Sequence, residues 1–179
     1  MNMMRRIIFI TILCLGGLLL AATDPDAATC AITVTVDGLL EWEGNFTAIA
    51  AADMSAHITN QNSVVTGSST QTLFTNGDVI LTADNDADSE LDTDSDTDQL
   101  VTEYSLSYDG NGSAATGGSA VAYTEYDTFL TGGGSACTHV STDGAVEVTL
   151  GVRASNDTHN VADAGDYTAT QTITATWNP

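Results

Sequence analysis

The sequence contains no lysine, and its only arginines are Arg5, Arg6 and Arg153. Set against 24 acidic residues, they leave a formal charge of −21, which repels nucleic acid and anionic lipid and attracts cations. Recognisable catalytic patterns are missing too. His57, His139 and His159 are scattered with no triad, zincin or deaminase spacing, no serine sits in a Gly-x-Ser-x-Gly elbow, and no phosphate-binding loop occurs. A non-enzymatic protein is therefore expected, because a secreted hydrolase would need a constellation that only folding creates. Long helical patterns are absent as well. Ala48 to Ala52 with Met54 fits one or two helical turns or an alanine-rich loop, and Gly132 to Gly134 reads as a loop between strands.

The chain opens with a basic segment, Met1 to Arg6, then an apolar run from Ile7 to Ala22, then the polar break Thr23-Asp24-Pro25-Asp26. This order predicts a signal peptide over residues 1–22, with an uncleaved anchor as the alternative, and a short linker over 23–29. Export to a secreted or cell-surface location follows. Removing 22 of the 179 residues leaves about 157, enough for a single domain with its own core. Two cysteines remain, Cys30 and Cys137. An even number in an exported chain predicts one disulfide, with two unpaired thiols as the alternative.

Strand patterns fill the remainder. Cys30, Ile32, Val34 and Val36 alternate with polar or small residues and predict an inward-facing first strand, followed by Leu39 to Trp42. Thr70 to Thr75 and Asp78 to Ala83 flank Asn76-Gly77, which predicts a two-residue hairpin. Leu100 to Tyr108, Ala120 to Leu130, Cys137 to Val140 and Ala145 to Arg153 are further strands. In the last of these Val146, Val148, Leu150 and Val152 are expected inside. The final strand, Asp166 to Trp177, places Tyr167, Ala169, Gln171, Ile173, Ala175 and Trp177 on one face and five threonines on the other. The expected fold is an all-β, antiparallel, immunoglobulin-like β-sandwich of about seven to nine strands over residues 30–179, with a closed barrel as the alternative.

An acidic loop over residues 84–99 interrupts the strands. Its alternating aspartates suit a hard cation such as calcium, which takes six to eight oxygens. A register from Asp92 adds Asp94, Asp96, Asp98 and, at position twelve, Glu103. The flanks read as strands rather than helices, so a solvated acidic loop is the alternative. Asn45, Asn111 and Asn156 begin N-glycosylation patterns.

Gly165 followed twelve residues later by Trp177, with alternation between them and the chain ending soon after, resembles the C-terminal pattern of bacterial chaperone–usher pilus subunits and of spore-coat-protein-U-like secreted proteins. The resemblance implies that Gly165, Tyr167, Ile173 and Trp177 anchor the last strand. It also implies self-association, with an immunoglobulin-like subunit completed by a strand donated from its neighbour. The donor is expected within Ala27 to Val36. A subunit of a cell-surface filament, pilus or extracellular coat follows as the first expectation, and a calcium-dependent adhesion or carbohydrate-binding module as the second.

Overall fold

The structure, a computed structural model, describes residues 30–51, 53–54, 63–93, 98–156 and 162–178. The expected signal peptide and linker, His57, His159, Asp94 and Asp96 lie outside them. Among the described residues no helix is long and apolar enough to cross a membrane. The chain divides into two units, Met1–Val36 and Asp37–Pro179.

The second unit is an all-β sandwich. Its strands are β1 Leu40–Trp42, β2 Val64–Thr75, β3 Val79–Ala83, β4 Val101–Tyr108, β5 Gly117–Gly118, β6 Val121–Glu125, β7 Ser135–Thr138, β8 Ala145–Ser155 and β9 Ile173–Trp177. They form a five-stranded sheet, β1-β2-β8-β4-β6, and a four-stranded sheet, β5-β7-β3-β9. Every pairing is antiparallel. Period-2 patterning decides which side chains lie between the layers. Leu73, Tyr104, Leu106, Val146 and Val148 from the larger sheet are buried against Val79, Leu81, Cys137 and Ile173 from the smaller one. Phe129 plugs the core from the β6–β7 connection, with its ring centroid 5.6 Å from that of Tyr104. That connection then turns through Gly132, Gly133 and Gly134, whose φ angles of 77°, 118° and 78° glycine adopts without a Cβ clash. The three glycines serve the backbone here, as expected of a loop.

Two expectations are corrected. Asn76-Gly77 does not close a hairpin, since β2 and β3 lie in different sheets and neither residue has a positive φ. Its side chain is occupied elsewhere: Asn76 Nδ2 donates to the Asp37 carbonyl at 2.8 Å and Asn76 Oδ1 accepts from Leu39 N–H at 2.8 Å. The dipeptide is an arch between layers that holds the start of β1. Secondly, the first strand is Leu40–Trp42 and not the expected Cys30 to Val36. Cys30 to Val36 forms no strand, and Ile32, Val34 and Val36 are 84%, 80% and 81% exposed. Alternation tells which side chains share a face, whereas burial requires a sheet to receive them. Of the two cysteines expected to pair, Cys30 is exposed and Cys137 is buried. Cys137 is buried on the inner face of β7, and burial, with Asp78 and Asp109 adding to it, pushes its thiol up to about 11.

Candidate functional site

The inner face of β8 runs Val146, Val148, Leu150, Val152, Ala154. Strands β7, β3 and β9 cover one end of this row. Towards the other end the second layer stops being a sheet, because β3 ends at Ala83 and β9 begins only at Ile173. Residues 162–172 continue alongside β3 as an irregular segment. Thr168 exchanges backbone hydrogen bonds with Asp92 at 2.9 and 3.2 Å, Thr170 N–H donates to Asp88 O at 2.7 Å, and Asp84 N–H donates to Thr172 O at 3.0 Å. Across from it, the chain leaving β1 crosses onto the inner face of β2. Gln71 Nε2 donates to Asn45 O at 2.8 Å, and Ile49 occupies the space that a side chain at Gly67 would need. Residues 46–51 make no backbone hydrogen bond with any described residue.

Between these two segments lies a cleft of about 830 Å³. Val65, Leu100, Tyr104, Leu150, Val152 and Ala154 form its floor, Phe46, Ile49 and Met54 line one wall, and Tyr167, Ala169 and Gln171 line the other. The lining is mainly apolar, but two buried polar atoms within it have no partner among the described residues. They are Nδ2 of Asn156, a residue only 5% exposed, and Oε1 of Gln171. The amide Oδ1 of Asn156 accepts from Ala162 N–H at 3.1 Å, and Gln171 Nε2 donates to Asp84 O at 2.6 Å. Each amide is therefore half satisfied. An orphaned buried polar group is costly, so cleft and amides together suit an occupant with backbone groups to offer.

Of the expected metal residues, Asp94 and Asp96 lie outside the described residues, while Asp92, Asp98 and Glu103 each have other partners. Asp98 sits at the head of the wall, where its Oδ2 accepts from Asp163 N–H at 2.5 Å and from the Tyr167 hydroxyl. The Tyr167 hydrogen bond, followed by that from Asp163, holds its carboxyl below the usual value of 3.8. Burial and then the Asp98 contact push the Tyr167 hydroxyl up to about 12. Asp92 pairs with Gln99 and Thr168. Glu103 is on the outer face of β4, where Arg153 grips its carboxylate through Nε at 2.6 Å and Nη2 at 2.5 Å and stacks over Tyr123 at 4.7 Å. Among the described residues no group of three or more His, Cys, Asp or Glu is placed to hold a metal.

The strand anchors fare better. Tyr167, Ala169, Gln171, Ile173 and Ala175 face inward or are half-buried while the intervening threonines are exposed. Only Ile173–Trp177 is strand, Gly165 lies at a bend, and Trp177 is 43% exposed with its ring over Gly38 and Gly77. Asn156 had drawn notice only as a glycosylation site. No local signal marks it or Gln171 as cleft residues, because an unmet hydrogen bond arises from tertiary placement.

No protein-family model matches the chain. No curated protein matches it either.

Proposed function

We infer that this protein is a non-enzymatic, secreted structural subunit of a cell-surface filament, pilus or extracellular coat, and that it self-associates by strand donation. One observation carries the reading: Ile32, Val34 and Val36 alternate in sequence as a strand face would, and each is at least 80% exposed. An exposed alternating apolar segment favours strand addition between copies. The C-terminal resemblance to pilus subunits agrees with it. Negative-stain microscopy of the native exported protein tests the reading. Regular polymers are expected, and a uniformly monomeric field would overturn it.

A calcium-dependent adhesion or carbohydrate-binding module is the second reading, favoured by the density of carboxylates from Asp84 to Asp98. A calcium titration followed by melting temperature tests it, since binding to the native state raises the transition. An unchanged transition at millimolar calcium would remove it.

A further inference from the structure

Three asparagines begin an N-glycosylation pattern, and the fold treats them differently. An acceptor needs its side-chain nitrogen in solvent, the hydroxyl two residues on within reach of the same enzyme, and room for a bulky sugar beside both. Asn45 and Asn111 meet these demands. Asn45 lies in the connection between β1 and β2, with its carbonyl held by Gln71 Nε2 at 2.8 Å. Asn45 and Thr47 are exposed, while Phe46 between them turns inward, its ring centroid 5.5 Å from that of Trp42. Asn111 lies in the connection between β4 and β5, where its Oδ1 accepts from Ser113 N–H at 3.0 Å. Among the described residues the amide is engaged through that oxygen alone, which leaves Nδ2 available. Asn111 and Ser113 are exposed, and Gly112 between them presses on Thr138, whose Cβ would lie 2.8 Å from a Cβ at that position. Gly112 N–H donates to Ala115 O at 2.9 Å, so the loop holds its shape. In both tripeptides the middle residue faces the fold and the outer two face solvent. Neither lies in a paired strand, so an added sugar breaks no ladder hydrogen bond.

Asn156 differs on every count. It follows directly on β8, is 5% exposed, accepts from Ala162 N–H through Oδ1 at 3.1 Å, and has its Nδ2 buried. A sugar on that nitrogen would have to displace packed interior.

We propose that Asn45 and Asn111 are N-glycan acceptors and that the fold excludes Asn156, although it starts the same pattern. The proposal rests on the reading of the protein as secreted, because the donor, a polyprenyl-phosphate-linked oligosaccharide, is used on the outer side of an export membrane. In the transfer, the asparagine Nδ2 forms a bond to the anomeric carbon of the sugar. The bond from that carbon to the phosphate oxygen breaks, the polyprenyl phosphate leaves with the electron pair, and the amide nitrogen gives one proton to solvent.

Mass spectrometry of peptides from the exported protein tests the assignment. The chain has no lysine and only Arg5, Arg6 and Arg153 as arginines, so cleavage at acidic residues takes the place of trypsin. Sugar is expected on Asn45 and Asn111, with Asn156 unmodified. Asn45→Gln and Thr47→Ala should each remove the first glycan, Asn111→Gln and Ser113→Ala the second, and Asn156→Gln neither. An unmodified Asn45 or Asn111 overturns that acceptor, and sugar on Asn156 overturns its exclusion. Export is read separately, from where the protein is found and from loss of residues 1–22. If the protein stays inside the cell, the secreted reading fails. Incubating the folded full chain with oligosaccharyltransferase membranes and lipid-linked oligosaccharide then decides the acceptors. Transfer to Asn45 and Asn111 alone upholds the assignment, and transfer to neither, or to Asn156, overturns it.

Discussion

The two ends of the sandwich are built on the same strand and differ in what covers it. At the Trp177 end, Val146 and Val148 of β8 are fully enclosed by β3, β7 and β9, and Leu73 and Leu81 complete the layer contact. At the Asn156 end, Val152 is only half-buried, and its cover consists of two segments that do not pair with each other. Leu150 and Ala154 beside it are nevertheless buried, so one sheet carries an end closed by paired strands and an end closed by irregular segments. Patterning alone makes a face apolar; closure depends on whether the opposite layer has enough strands.

Truncations should expose the contrast. Leu73→Ala and Phe129→Ala in the finished core are expected to cost about 2–5 and 3–5 kcal/mol in urea unfolding. Trp177→Ala should fall below the roughly 3–5 kcal/mol of a fully buried tryptophan, because its ring is 43% exposed. Val152→Ala, bordering the cleft, should cost the least of these in the monomer, about 1–2 kcal/mol. Equal losses at Val152 and Leu73 would break the comparison.

The period-2 faces of β4, β8 and the last strand were legible because alternation is a local property: Tyr104, Leu106, Val146, Val148 and Ile173 all lie inside. Layer membership was not local. Asn-Gly marks a reversal but cannot say whether the chain returns to its own sheet or crosses to the other. Val64 to Ser69 of β2 were obscured by Gly67-Ser68-Ser69, a loop-like triplet made to fit by Ile49 packing on the glycine. The cleft was invisible for the same reason. Its walls have the weakest patterning in the chain, and its floor looks like any other strand. Cys30 to Val36 reads as a core strand because its composition is that of one, but composition supplies no sheet to receive it.

Smaller effects sharpen the wall. Asp98 has a lowered native pKa, so its contribution is complete above the unfolded value near 3.8 and fades as pH falls through the native one. Asp98→Asn should therefore lower the melting temperature at pH 7, and the gap to the parent should close below about pH 4. A gap that widened with acid would contradict the clasp. Thiol labelling is the mildest test. In a chain lacking residues 1–22, Cys30 should react under native conditions and Cys137, buried and protonated, only after unfolding. Two unreactive cysteines that label only after reduction would show that Cys30 and Cys137 pair.

Amide hydrogen exchange on the native protein tests the contrast between the two ends most directly. Strong protection is predicted for β2, β8 and β4 at the Trp177 end and fast exchange for residues 46–51, which make no backbone hydrogen bond with any described residue. Equal protection of residues 46–51 and the paired strands would contradict the account.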